Sequence, residues 1–118
     1  MFVFLYTEIL ISNLRENRDD IKSNNYPEYL RTNVEYTWII DMNHSNTIEL
    51  EFHDIHIDFQ SDYLQIQTDN MIYSITTQKS LRFECINRTT ISLRTKHSHR
   101  NGEYRGIHLT YQSKNENS

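Results

Sequence analysis

Between residues 48 and 53 the chain alternates strictly, with Ile48, Leu50 and Phe52 on one parity and Glu49, Glu51 and His53 on the other. Successive side chains of an extended strand point to opposite faces, so this pattern describes a strand with one face buried and one in water. Comparable sets follow at Leu64 and Ile66, Ile72 and Ile75, Leu81 and Phe83, Ile91 and Leu93, and Ile107, Leu109 and Tyr111. Thr37-Trp38-Ile39-Ile40 opens an earlier strand on a large aromatic anchor. At Ile55 and Ile57 the apolar parity changes, which predicts a bulge or bend near Asp54. Runs of this size recur about every 8–12 residues, with turn signals such as Asn43-His44-Ser45-Asn46 and Asn101-Gly102 between them. The spacing belongs to an antiparallel sandwich or barrel, and the expectation is an all-β sandwich.

Composition supports strands over helices. The 118 residues include no Ala, two Gly and one Pro, while Ile, Thr and Tyr are plentiful and favour a pleated, half-buried surface. A single domain of this size buries roughly two thirds of the surface its unfolded chain exposes. A net charge of −4 and a pI near 5.8 argue against a nucleic-acid module. No stretch approaches the ~20 apolar residues that span a bilayer, so direct membrane insertion is not expected. The opening MFVFLYTEILIS lacks a basic start and a small-residue cleavage site, and it reads as a first strand rather than a leader. One cysteine forms no internal disulfide, which by itself favours a reducing compartment.

Ser23-Asn24-Asn25-Tyr26-Pro27 followed by Asn33-Val34-Glu35-Tyr36-Thr37-Trp38 resembles the start of a CUB domain, an extracellular β-sandwich with jelly-roll-like topology. Ile48-x-Leu50-x-Phe52, Ile55-His56-Ile57-Asp58, Asp62-Tyr63-Leu64-Gln65-Ile66 and Gly106-Ile107-His108-Leu109-Thr110-Tyr111 match later landmarks of that family, in order. The resemblance covers residues 19–112. It leaves 1–18 as an N-terminal strand or edge segment and 113–118 as a polar tail.

The family usually carries two disulfides. In register, the first pair falls on Leu10 and Tyr36, the third cysteine on Phe59, and Cys85 sits near the fourth. Losing both members of a bridge to apolar residues leaves no odd thiol, at a cost of roughly 2–5 kcal/mol that core packing has to offset. The lone cysteine is therefore equally what a disulfide-depleted extracellular module would show.

The resemblance also implies a calcium site at one end of the sandwich, on Asp58, Asp62 and a third position near His99. Imidazole departs from the oxygen donors that Ca²⁺ prefers, and two loop aspartates without metal are the competing reading. No cofactor is required. His97-x-His99, with His53, His56 and His108 elsewhere, has a zinc-like pair spacing. No cysteine or carboxylate stands beside it at a recognised distance, so surface histidines are the simpler reading. Arg94, Lys96, Arg100 and Arg105, with Tyr104, form a basic segment suited to an acidic protein face or a sulfated glycan, against a plain solvated loop. Asn43 and Asn87 open N-x-Ser/Thr triplets in turns, where glycan acceptors belong.

No catalytic motif is present, and Asp58 with Asp62 is a weak acid–base pair without an evident cleft. Cys85 reads as a small buried hydrophobe on the strand of Leu81 and Phe83. Trp38, Phe52, Phe83 and Tyr111 are expected in the core, and Tyr26, Tyr29 and Tyr63 on a contact surface. What the resemblance implies is a non-enzymatic, extracellular binding module for protein or carbohydrate, cut from a larger modular chain whose other domains are further partners. A stand-alone spermadhesin-like glycan binder and an unrelated jelly-roll structural protein are the alternatives.

Overall fold

The computed structural model describes residues 8–41, 46–78, 81–86, 88–96 and 103–115. Among these residues the strands are β1 (Glu8–Leu14), β2 (Arg18–Lys22), β3 (Val34–Asp41), β4 (Asn46–His56), β5 (Tyr63–Gln67), β6 (Ile72–Ser74), β7 (Leu81–Ile86), β8 (Arg88–Arg94) and β9 (Gly106–Asn115). They form a five-stranded sheet, β1-β3-β8-β5-β6, and a four-stranded sheet, β2-β9-β4-β7. Every pairing among them is antiparallel except that of β1 with β3. The expected all-β sandwich is the fold.

The alternation read from the sequence sets which side chains meet between the sheets. Trp38, Ile40, Leu64, Ile66, Ile91 and Leu93 come from the larger sheet, and Ile21, Ile48, Leu50, Phe52, Leu109 and Tyr111 from the smaller. All are buried, and each fully buried aliphatic or aromatic side chain contributes about 1.5–3 kcal/mol of transfer free energy. The parity change in β4 is a bulge. Phe52 pairs with Leu109 and Asp54 with His108, leaving His53 as the extra residue. That extra residue returns Ile55 and Ile57 to the core and turns Asp54 outward.

Several expectations shift. Ile72 is 62% exposed, while Ile75 is buried, because β6 is a three-residue edge strand and only Ile75 returns beneath the sheet. Leu81 and Phe83 are half-buried against the core rather than within it, since β7 is the outermost strand of its sheet. β2 carries no alternating signal, because Ile21 is the one buried residue of Arg18–Lys22. β9 runs through Ser113 to Asn115, which pair with β4, so strand continues into the polar tail.

Two sequence landmarks that are far apart in the chain close on each other. Ile107 N–H donates to Ser23 Oγ at 3.1 Å, and Ser23 N–H to the Ile107 carbonyl at 3.2 Å. Gly106 has a φ of +104°, and a Cβ there would lie 2.1 Å from Ser23 Oγ. Glycine is required at this position twice over, by conformation and by space. Leu10 and Tyr36, the substituted positions of the first family bridge, are direct partners in the parallel β1–β3 ladder. Tyr36 is buried and stacks on Trp38, with centroids 5.2 Å apart. Apolar packing therefore occupies the position where the resemblance implies a disulfide.

Candidate functional site

The turn between β4 and β5 is held by its own aspartates. Ser61 and Asp62 N–H groups donate to the Asp58 carbonyl at 3.1 and 2.7 Å, and Gln60 N–H to Asp58 Oδ1 at 3.0 Å. Asp62 is 8% exposed, so it is not the solvated loop carboxylate of the competing sequence reading. Its Oδ2 accepts from Asp58 N–H at 3.1 Å and its Oδ1 from Lys96 N–H at 3.0 Å. Charge-assisted bonds of this kind are roughly twice as strong as neutral ones. They fasten the turn to the chain leaving β8.

Beside this turn lies an open cleft of about 330 Å³, lined by Gln60, Ser61, Asp62, Tyr63, Arg94 and Lys96. Register explains the arrangement. Arg94 pairs with Glu35 on one side and Tyr63 on the other, forming a row across β3, β8 and β5. Its Nε donates to Glu35 Oε1 at 3.0 Å, and its guanidinium lies 5.7 Å from the Tyr63 ring centroid. Gln60, Ser61 and Glu35 do not stand out in the sequence, where charge is visible along the chain and not across strands.

Arg105 belongs to a different arrangement. Its Nε and guanidinium NH2 donate to the two carboxylate oxygens of Asp54, each at 2.9 Å, and Tyr26 O–H donates to Asp54 Oδ2 at 2.7 Å. The Arg105 guanidinium and, less strongly, the Tyr26 hydroxyl hold the Asp54 carboxyl below the usual carboxylate range. Burial first, and then the Asp54 carboxylate, push the Tyr26 phenol up. Arg105 N–H also donates to His56 Nδ1 at 3.0 Å. Burial and the Arg105 charge lower the pKa of His56. Tyr104 packs its ring 5.2 Å from that of His56. Burial and the negative charges of Asp58, Glu103 and Asp62 raise its phenol pKa.

The basic segment thus divides, with Arg94 and Lys96 on the cleft and Arg105 tied to Asp54. Arg100, His97 and His99 lie outside the described residues, as do the two sequon asparagines, Asn43 and Asn87. Tyr63 lies on the cleft, whereas Tyr26 is bonded to Asp54. The His53 and His108 rings lie 5.0 Å apart, tilted, on the outer face of the smaller sheet, with His108 Nε2 2.9 Å from Asp20 Oδ1.

Among the described residues, no three His, Cys, Asp or Glu side chains come together as a metal-binding group. Asp58 and Asp62 already accept backbone N–H donors, and Ca²⁺ takes six to eight oxygen ligands. The third position that the resemblance implies, near His99, lies outside the described residues, and the hydrogen bonds of Asp58 and Asp62 account for the order of this turn.

A family model described as "CUB domain" matches residues 11–111. No curated protein matches the chain in sequence. Solved structures do match in fold. The CUB1-EGF-CUB2 domains of rat MASP-1 superpose with a TM-score of 0.77 at 16% identity, over 88% of this chain and 42% of that one. The full extracellular region of zebrafish Gpr126/Adgrg6 gives 0.76 at 15%, over 86% and 14%. The MASP-1 CUB2 domain bound to Ca²⁺ gives 0.73 at 21%, over 86% and 96%. The chain thus spans less than half the length of the first two. With the family model covering most of the sequence, and with the sandwich, the Ser23–Gly106 closure and the Leu10–Tyr36 pairing in place, the chain belongs to the CUB domain family.

Proposed function

We propose that this domain is a non-enzymatic, extracellular recognition module that engages a partner protein through the end of the sandwich bearing the Asp58–Tyr63 turn and the Arg94–Lys96 segment. One observation carries the reading: two cationic side chains line an open cleft whose supporting turn is fixed by the internal hydrogen bonds of Asp62. A rigid platform lowers the ordering cost of binding, and the exposed cations supply charge complementarity. Support also comes from the neighbours in fold, several of which are segments of multidomain chains.

A photoreactive amino acid placed at Gln60 tests this on the secreted domain, with Ser74 on the β6 edge as the comparison position. Both residues are exposed. Adducts should form from Gln60 and be absent from Ser74. Equal labelling, or labelling from Ser74 alone, would move the interaction surface elsewhere.

A further inference from the structure

We infer that the cleft between Tyr63, Arg94 and Lys96 takes a carboxylate side chain from an acidic segment of the partner protein, with Arg94 exchanging Glu35 for it. The inference rests on the recognition reading of this cleft and names the chemistry of the same site.

The geometry argues for an anion. A guanidinium presents a planar fork of donors matched to a carboxylate, and that of Arg94 lies 5.7 Å from the Tyr63 ring centroid, within cation–π range. Lys96 supplies a second positive charge on the same cleft. Both oxygens of Asp62 accept backbone N–H donors, whose dipoles partly offset its charge. Ser61 adds an independent sign. Ser61 lines the cleft, and its Oγ is buried with no hydrogen-bond partner among the described residues. Buried hydroxyls are ordinarily bonded, and a turn of this side chain toward the cleft would let it donate to an incoming carboxylate oxygen.

Glu35 marks the chemistry of the occupant. The guanidinium already holds a carboxylate at 3.0 Å through a partly exposed pair, so the exchange replaces one such bond with another, less the cost of leaving Glu35 to water. A sulfated polysaccharide would need a row of cations along its length. Two cationic side chains in a cleft of about 330 Å³ suit one carboxylate-bearing side chain better.

Binding of an end-capped hexaglutamate peptide, followed by amide chemical shifts in the ¹⁵N-labelled domain, tests the inference. Shifts should concentrate at Gln60–Tyr63 and at Lys96. Arg94→Gln and Lys96→Gln should each weaken binding about tenfold, and Ser61→Ala should weaken it a few-fold. Glu35→Gln should strengthen it about two- to fivefold by removing the internal competitor, a gain that damage to the fold would not produce. Arg82→Gln, an exposed cation paired with Glu51 on the other sheet, should leave it unchanged. Absent binding at millimolar peptide, shifts centred on the other sheet, loss of affinity in Glu35→Gln, or preference for a sulfated hexasaccharide over the peptide would each overturn the inference. If the peptide fails while Gln60 still captures a partner, the recognition reading stands and only the carboxylate assignment falls.

Discussion

Asp54 and Asp62 flank the end of β4, and each anchors a corner of the molecule in a different way. Asp54 is satisfied by side chains, the Arg105 fork and the Tyr26 hydroxyl, so its corner cancels its own charge. Asp62 is satisfied by the backbone, through the N–H groups of Asp58 and Lys96. That choice leaves the nearby cations, Arg94 and Lys96, facing the cleft instead of the aspartate. The Asp54 corner uses its polar groups to hold Ser23–Pro27 to the start of β9. The Asp62 corner takes its order from the backbone, so Lys96 and Arg94, the latter held by Glu35 rather than by the aspartate, stay on the cleft, and that distinguishes a structural knot from a surface able to bind.

The comparison can be broken most forcefully at Gly106, inside the structural corner. Gly106→Ala should lower stability by about 2–3 kcal/mol, because alanine is strained at a φ of +104° and its Cβ would collide with Ser23 Oγ. Chemical denaturation checks this. Adding Ser23→Gly should recover only part of the loss, since removing the hydroxyl relieves the collision but leaves the backbone strain and orphans the Ile107 N–H. Full recovery would mean that the φ requirement has been misjudged.

Next in size is the backbone-held aspartate. Asp62→Ala orphans the Asp58 and Lys96 N–H groups and should cost about 2 kcal/mol, from the low end of the roughly 1–3 kcal/mol for each unsatisfied donor. Asp62→Asn, which keeps one oxygen, should lose less. The hydrogen bonds, rather than a cation, are what this predicts the turn to depend on, so millimolar calcium should leave the melting temperature of the parent domain unmoved. A rise of several degrees that Asp62→Ala abolishes would instead place a bound ion there by mass action.

Residue by residue, the sequence was informative where one buried face imposed period two. The β4 alternation and its bulge were legible, because a strand slipped by one residue would expose its whole apolar set. β2 was not, since Ile21 alone is buried in it, and the run at β6 was visible with Ile72 placed inward, though the strand lies at an edge and exposes it. At the site, Asp58, Asp62, Arg94 and Lys96 stood out by type. Their roles depended on neighbours across strands: Glu35 and Tyr63 beside Arg94, Asp54 beside Arg105. Charge counted along residues 94–105 merged two corners that the fold separates.

The smallest expected effect follows from the charge pairing of the Asp54 corner. Arg105 and Tyr26 depress the Asp54 pKa, so the folded state favours its carboxylate. Such a group adds stability above its unfolded pKa, near 4, and that increment is lost as pH falls through the lower folded value. His56 is depressed as well, by burial and the Arg105 charge, so its increment begins to fall below about pH 6.5. Protonating Nδ1 also removes the acceptor for Arg105 N–H. The stability curve should therefore decline in two steps on acidification, one set by His56 and a later one by Asp54. Asp54→Asn should shrink the later step, to which the depressed carboxyls of Asp20 and Glu49 also contribute, while costing about 1 kcal/mol or less at pH 7, because the Arg105 pair is partly exposed. In Asp62→Asn the Asp54 step should persist unchanged. Its disappearance there would mean that the two corners share one charge balance, and that the cations of the cleft are not independent of the Asp54 knot.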